Sequence, residues 1–185
     1  ELMADIGLGK RLPSVVARRL LAREELSADS PSHVALAIHG TEGMAIQLAR
    51  CCQPIPGDPI IGSIKKGSGL VIHTHDCPTI RKSRSSEPHQ WIDVEWEPEE
   101  GKLFDIRIKV EVRNKRGVLA QVAAAIAEAG SNIEDVAMDS DPERLLTLLR
   151  FTIQVAHRIH LATVMRSLRH IPEVTRISRD RGSEV

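Results

Sequence analysis

The sequence predicts an α+β protein in which a small mixed module of short strands precedes a βαββαβ unit. Apolar and charged residues alternate through "LFDIRIKVEV" (103–112), which predicts a half-buried strand. Apolar residues then recur at helical spacing from Val118 to Ala129, and Gly130 ends that helix. Between residues 33 and 96, short apolar runs alternate with turn-forming residues, which predicts strands and turns rather than long helices.

Composition narrows the class of protein. The 25 basic and 25 acidic residues cancel, so net charge favours neither a nucleic-acid-binding nor a membrane-surface protein. We predict no membrane contact, because no apolar run could cross a bilayer and the first residues do not resemble a signal peptide. Three cysteines, two of them adjacent, make a poor disulfide framework and favour a reducing, cytoplasmic location. A chain that begins without Met is also expected to be a piece of a longer protein.

Three regions follow one another along the chain. Residues 1–32 are predicted to be the end of a helical region or a linker helix, because Val15, Val16 and Leu20 share one helical face. Residues 33–98 are predicted to form the small module, with strands in "HVALAIHG", "IIGSI", "GLVIHT" and "QWIDVEW" and a helical turn or two in "DCPTIRKSR". The predicted core of this module consists of Ile60, Ile61, Leu70, Ile72 and Trp91.

Residues 103–180 are predicted to form the βαββαβ unit. After the first strand and helix, "NIEDVAMDS" and "LLTLLRFTIQV" are predicted to be strands. Leu161, Val164 and Leu168 then mark a second helix, and "EVTRISR" is the last strand. This order is the ferredoxin-like arrangement, with two helices on one face of an antiparallel sheet. His157, His160 and His170 lie near the second helix and are predicted to be surface groups without partners.

Cysteine and histidine residues in the small module suggest a metal site. Cys51, Cys52, His73 and Cys77 supply three sulfurs and one nitrogen, a ligand set that suits tetrahedral Zn²⁺. Adjacent side chains of an extended strand point in opposite directions, so both cysteines can reach one ion only at a turn, and "QPIPG" predicts such a turn. His75 and Asp76 are substitute ligands, and Asp76 is alternatively a cap for the following helical turn. Buried core thiols, or a redox-sensing pair of neighbouring thiols, are the other interpretations.

At these motifs the sequence resembles a known family. "NKRGVL" together with "SNIEDV" resembles an ACT domain, a regulatory module that often binds amino acids. "ARCCQPIPGD" and "KKGSGLVIHTHDC" resemble the zinc-finger-like RIS segment that precedes the ACT domain in long RelA/SpoT homologues, which synthesise and hydrolyse (p)ppGpp. "GLVIH" resembles the bifunctional SpoT/Rel branch more than the synthetase-only branch. The resemblance implies a RIS module at 33–98, an ACT domain at 103–180, and bound zinc in some members.

The resemblance also implies the type of function. The motifs of the hydrolase and pyrophosphokinase domains of the family are absent from this sequence. We therefore expect a C-terminal regulatory region without catalysis of its own, which controls the catalytic domains of a parent (p)ppGpp synthetase/hydrolase through binding and self-association. The strand "LLTLLRFTIQV" is apolar on both faces for part of its length, which predicts a homodimer formed through the ACT domain.

The loop "NKRGVL" suggests an amino-acid site. Gly117 permits a sharp turn, and the amides of Val118 and Leu119 at the helix N-terminus are predicted to point outward and to attract a carboxylate. In ligand-binding ACT domains the amino acid lies between this loop and the second strand, and the matching residues are Asn114, Gly117, Val118, Leu119, Asn132 and Ile133. The apolar lining favours a branched-chain amino acid, whereas Asn114 replaces an Asp that many such domains carry. The alternative is an ordinary turn in a domain that serves only to pair with another copy.

Two basic clusters leave a nucleic-acid alternative open. They are formed by Lys65 and Lys66 and by Arg81, Lys82 and Arg84. In ribosome-bound relatives, as the resemblance implies, the RIS and ACT domains touch ribosomal RNA, and mobile cations suffice for phosphate contacts. The functional alternatives are therefore a module that contacts ribosomal RNA or tRNA, or a stand-alone amino-acid sensor. Short charged runs of this kind also occur as plain solvated surface.

Overall fold

The structure is a computed structural model that describes residues 36–38, 46–65, 69–81, 83, 90–97, 101–139 and 146–181. The predicted linker helix in residues 1–32 lies outside these ranges. The described residues form two compact units: residues up to 49 together with 59–97, and residues 50–58 together with 101–181. Among the described helices, none has both the length and the apolar character needed to span a membrane.

The first unit is built around a five-stranded sheet. Its strands are β1 (Leu36–Ile38), β2 (Ile46–Leu48), β3 (Ile60–Lys65), β4 (Gly69–Thr74) and β5 (Trp91–Trp96), in the order β1-β5-β3-β4-β2. The central strand β3 is antiparallel to β4 and β5, and the edge strands β1 and β2 run parallel to their neighbours. A 3₁₀ helix, Pro78–Ile80, follows β4, where the sequence predicted a helical turn. The sequence predicted four of these strands and missed β2.

The core of the first sheet is aliphatic. Its buried cluster consists of Ile38, Ile46, Ile60, Leu70, Ile72 and Val94. Trp91 is only half-buried, so the prediction that it belongs to the core is wrong. Val94 supplies the buried side chain of β5 instead. Gly62 lies in the middle of β3, where a Cβ atom would come within 2.7 Å of Leu70 Cδ1 and 3.2 Å of Val94 Cγ1. The sheet packs so closely at this point that only glycine fits without displacement of its neighbours.

The second unit has the predicted βαββαβ order. Its elements are β6 (Phe104–Arg113), α1 (Val118–Glu128), β7 (Ile133–Asp139), β8 (Leu146–Val155), α2 (Arg158–Arg169) and β9 (Val174–Arg179). The sheet is antiparallel with the order β7-β8-β6-β9, and β6 and β8 pair along their whole length from Phe104↔Val155 to Arg113↔Leu146. The prediction of an α+β protein with a ferredoxin-like unit is therefore confirmed.

One face of the second sheet carries the core. Alternate residues of β6 and β8 are buried against apolar residues of the two helices: Ile106, Ile108, Val110, Val112, Leu149, Phe151, Ile153, Val122, Ile126, Leu161, Val164 and Leu168. Leu145, predicted to be the first apolar residue of the third strand, lies outside the described residues. On the opposite face of this strand, which the sequence predicted to be partly apolar, Leu146 is exposed and Leu148 is half-buried.

Histidine side chains connect the two helices of the second unit. The His157 ring caps α2, because its Nδ1 accepts a hydrogen bond from the His160 amide at 3.1 Å. His160 Nδ1 in turn accepts from the Ala156 amide at 3.2 Å, and its Nε2 donates to the Ala129 carbonyl at 3.0 Å. These partners fix the neutral tautomer with the proton on Nε2. The prediction that the three histidines lack partners is wrong, since His157 and His160 close the ends of α2 and α1 and His170 Nδ1 donates to the Arg166 carbonyl at 2.9 Å.

Candidate metal centre

The four predicted metal ligands come together in the structure. Cys51, Cys52, His73 and Cys77 are all buried, and their ligand atoms lie within 4.8 Å of one another. His73 lies near the end of β4, and Cys77 occupies the N-cap position of the 3₁₀ helix that follows. The three cysteines form no disulfide with one another, and the Sγ atoms of Cys51 and Cys52 are 4.0 Å apart. Zn–S bonds of about 2.3 Å in a tetrahedron place two sulfurs about 3.8 Å apart, so the donor set and its spacing both fit Zn²⁺.

A turn explains how two adjacent cysteines face the same group. Residues 50–52 form a turn, and Gln53 has a positive φ of 43°, a left-handed conformation that non-glycine residues rarely adopt. The Ile55 amide donates to Asp58 Oδ2 at 3.0 Å, and the Asp58 amide donates to the Ile55 carbonyl, also at 3.0 Å. The segment 50–58, called the cysteine loop below, is therefore closed on itself as the "QPIPG" motif suggested.

The two substitute ligands lie outside this group. His75 is exposed; its Nε2 donates to the Ile60 carbonyl at 2.9 Å and its amide donates to the Pro59 carbonyl at 3.0 Å. Asp76 is also exposed, and the N-cap of the 3₁₀ helix is Cys77 rather than Asp76. The capping interpretation of Asp76 is therefore wrong. The structure favours His73 over His75 because β4 directs His73 to the buried side.

At the predicted amino-acid site, there is free space beside Gly117, but one of the backbone amides is already hydrogen-bonded. Gly117 is the N-cap of α1 with a φ of 81°, and a Cβ atom there would meet nothing within 4 Å. Leu119 and Asn114 are both exposed. Val118 is buried, however, and its amide donates to the Lys115 carbonyl at 3.3 Å. One of the two amides predicted to receive a carboxylate is thus already used by the turn.

The other half of that predicted site lies at the start of β7. The Asn132 side-chain amide donates to Glu134 Oε1 at 2.7 Å, and the Asn132 carbonyl accepts from the Gln154 amide at 2.9 Å. Ile133 is half-buried. The Glu134 carboxylate places negative charge next to Asn132, where it suits an ammonium group and opposes a carboxylate.

Most side chains of the two predicted basic clusters lie outside the part of the chain that the structure describes. Of their five residues, the structure describes the side chain of Arg81 alone, and it is exposed at the end of the 3₁₀ helix. The side chains of Lys65, Lys66, Lys82 and Arg84 lie outside the described residues. Whether these cations share one face stays a prediction.

Sequence analysis missed two arginines that contact the cysteine loop and the aspartate of the loop that binds one of them. Arg107 and Arg179 of the second unit donate hydrogen bonds to the loop, and Asp58 of the loop accepts one from Arg179. The paired residues are 54 to 127 positions apart in the chain. No local pattern could identify them, because each arginine occupies an ordinary charged position of an alternating strand.

Both parts of the chain match known families. Residues 36–97 match the family model of the RelA/SpoT RIS domain, and residues 100–179 match an ACT domain model. The bifunctional (p)ppGpp synthase/hydrolase SpoT of Escherichia coli (strain K12) is 39% identical over 184 residues, which are 98% of this chain and 26% of that protein.

Two further relatives are named as GTP pyrophosphokinases. The protein from Streptomyces coelicolor is 34% identical over 77% of this chain and 16% of its own length. The one from Escherichia coli (strain K12) is 30% identical over 79% of this chain and 20% of its own length. The chain thus spans about a quarter or less of the length of these relatives. With a RIS domain followed directly by an ACT domain, and with 39% identity to SpoT across nearly its whole length, this chain belongs to the RelA/SpoT family.

Proposed function

We propose that this chain is a non-catalytic regulatory region of a bifunctional (p)ppGpp synthetase/hydrolase, and that it controls the catalytic domains of its parent protein. The observation that carries the proposal is the pair of adjacent domain matches, RIS then ACT, over residues 36–179. The higher identity to SpoT than to the Escherichia coli GTP pyrophosphokinase supports a bifunctional parent. The sequence carries no hydrolase or pyrophosphokinase motif that would support catalysis by the chain itself.

Two assays test this proposal. The purified chain, supplied with magnesium or manganese, is expected to neither synthesise nor hydrolyse (p)ppGpp, and turnover above buffer would contradict the non-catalytic role. In a chimera, this chain replaces the corresponding region of Escherichia coli SpoT. Its balance between synthesis and hydrolysis is compared with that of full-length SpoT and of SpoT truncated before this region, and the chimera is expected to match the full-length protein. A chimera that behaves like the truncated protein would contradict a regulatory role.

We include a structural zinc ion in this proposal. The support is the buried Cys₃His donor set with ligand atoms within 4.8 Å. Four protein ligands leave no open coordination position, so the ion would stabilise the loop and β4 rather than activate water. Because the liganding loops must be ordered to bind, metal affinity contributes directly to folding stability.

A matched pair of histidine variants tests the zinc proposal. His73→Ala is expected to lose stoichiometric zinc and to melt at a lower temperature, whereas His75→Ala, two residues away and outside the group, is expected to keep the metal. Metal content is measured by mass spectrometry on protein purified under reducing conditions, alongside thermal unfolding. Wild-type protein without zinc, or equal metal content in both variants, would leave the cysteines as core residues.

We also propose that the ACT domain self-associates. The supporting observation is the edge strand β7, beside which Val136, Met138 and Leu146 are 45%, 55% and 43% exposed. An edge strand that presents unpaired backbone and large apolar side chains favours pairing with a second copy. Light scattering is expected to show a dimer for the wild-type chain and a shift toward monomer for Met138→Lys. A strict monomer at high concentration would contradict the proposal.

A branched-chain amino acid at the loop of Gly117 is the finer part of the same proposal. The open space beside Gly117 and the exposed Leu119 side chain support it, while the use of the Val118 amide inside the turn weakens the carboxylate half. Calorimetry is expected to detect valine and not aspartate, and Gly117→Asp is expected to abolish binding because the added carboxylate repels that of the ligand. No heat with any amino acid would contradict this part alone.

A further inference from the structure

The cysteine loop packs with the ACT domain. It connects β2 to β3 in sequence, yet residues 50–58 group with residues 101–181 in the second compact unit. The Arg158 amide, at the start of α2, donates to the Pro56 carbonyl at 2.8 Å. Gly57 has a φ of +90°, and a Cβ atom there would come within 3.2 Å of Arg158 Cβ, so the backbone approaches α2 closely. These contacts anchor the second half of the loop.

Arg179, the last residue of β9, holds the middle of the loop. Its Nη1 donates to Asp58 Oδ2 at 2.7 Å, and the two side chains are only 14% and 6% exposed. Its Nη2 donates to the Cys52 carbonyl at 3.1 Å and also to the Gln53 carbonyl. One planar guanidinium group therefore contacts a carboxylate and two carbonyls, a geometry that lysine cannot reproduce.

Arg107 in β6 holds the other side of the same turn. Its amide and its Nε both donate to Gln53 Oε1 at 3.0 Å, and its Nη2 donates to the Arg50 carbonyl at 2.6 Å. The carbonyls of residues 50, 52 and 53 are thus all bound by the two guanidinium groups. These peptide groups flank Cys51 and Cys52, so their orientation sets the direction in which the two Sγ atoms point.

The loop requires such support for two reasons. Gln53 adopts a left-handed conformation, which is unfavourable for a residue with a side chain unless its surroundings hold it there. In addition, three thiolates and a neutral imidazole around Zn²⁺ carry a net charge of about −1, which two nearby guanidinium groups offset. Groups that orient metal ligands from behind typically affect metal affinity strongly even though they do not touch the ion.

We infer that Arg107 and Arg179 of the ACT domain are positioning residues for the metal ligands Cys51 and Cys52. The inference rests on the proposed zinc site and identifies the groups that preorganise half of its donor set. In this arrangement, zinc affinity is a property of the RIS cysteines together with two strands of the ACT domain. A change that moves either guanidinium group releases the turn and weakens metal binding.

The test measures zinc affinity of the full chain by competition with a chromophoric chelator, well below the melting temperature. Arg107→Lys and Arg179→Lys keep the positive charge but lose the planar guanidinium group that donates to several acceptors at once. Each is expected to weaken zinc binding by roughly 10–100-fold. Arg176→Lys, on the same strand as Arg179, is the matched control and is expected to keep wild-type affinity. Equal affinity in all four proteins, each shown to be folded by circular dichroism, would overturn the inference.

A second readout separates this inference from the zinc proposal. If the wild-type chain binds no zinc, the zinc proposal fails, and the rate at which a thiol reagent modifies the native metal-free protein decides the positioning role. Cys51 and Cys52 are buried, so their modification requires the loop to open. Both lysine variants are expected to react severalfold faster than wild type and Arg176→Lys. Identical rates in the four proteins would overturn the positioning role.

Discussion

The first sheet is assembled from strands of three to six residues, whereas the ACT sheet is centred on two strands of ten residues that pair along their whole length. The short strands bury an aliphatic cluster of limited size among the described residues, without a long helix against it. The long strands instead bury a continuous row of side chains against α1 and α2. Small cores often rely on a metal or another cross-link for stability, so the comparison supports the zinc ion that we propose at the Cys₃His group.

A substitution that leaves a cavity in the ACT core is expected to lower stability more than any other variant described below. Phe151 is 1% exposed and lies at the centre of β8. Phe151→Ala is expected to lower the free energy of unfolding of the ACT domain by about 3–5 kcal/mol, because it removes a large buried ring and leaves a void. Denaturant unfolding checks the value, with the exposed Thr163→Ala as the control. A loss below about 1 kcal/mol would mean that the long-strand core is looser than its burial indicates.

A substitution that overpacks the first sheet is expected to have the second-largest effect on stability. In Gly62→Ala, the added methyl group meets Leu70 and Val94 in a closely packed core. We expect a destabilisation of about 1–3 kcal/mol, as is typical of overpacking. Hydrogen exchange of β3 and β4 amides would report it locally, and Thr79→Ala on the exposed side of the 3₁₀ helix serves as the reference. Unchanged exchange would indicate that the small sheet yields more easily than the ACT sheet.

Loss of a helix connection in the ACT domain is expected to have a smaller effect. His160→Ala removes the acceptor for the Ala156 amide and the donor for the Ala129 carbonyl. We expect a loss of about 1–2 kcal/mol, the usual cost of such hydrogen bonds at helix ends. The exposed His170→Ala is the comparison, because its ring hydrogen-bonds the Arg166 carbonyl of its own helix at 2.9 Å and makes no link between α1 and α2 in the hydrogen bonds of the described residues. If both variants melt at the same temperature, α1 and α2 do not depend on this link.

The smallest effect concerns pH. Lys115 donates to Glu173 Oε1 at 3.0 Å, and this hydrogen bond is the main reason why the pKa of Glu173 lies below its ordinary value. A depressed carboxyl pKa gives stability that is present above the unfolded-state pKa and is lost as pH falls through the folded-state pKa. Glu173→Gln is therefore expected to melt slightly lower than wild type at neutral pH, with a difference that vanishes in acid. A difference that does not change with pH would exclude this ion pair as its cause.

The sequence by itself determined most of the ACT domain. Alternation in β6 and helical spacing in α1 are local signals, since each residue reports which face of its own element is buried. The strand β2 could not be predicted in this way. Only three residues long, it exists because Ile46–Leu48 pairs in parallel with Leu70–Ile72, a partner that periodicity does not reveal.

In the candidate metal centre, too, the sequence determined some features and the tertiary structure decided others. The sequence determined the chemistry, because three thiols and an imidazole at these positions are donors that suit zinc. The tertiary structure alone decided that Cys51 and Cys52 face the same side, through the left-handed Gln53 and the hydrogen bonds that Arg107 and Arg179 donate to the loop. Those contacts join residues 54 to 127 positions apart, and a contact across that separation forms only once the ACT strands have folded and fixed both arginines in space.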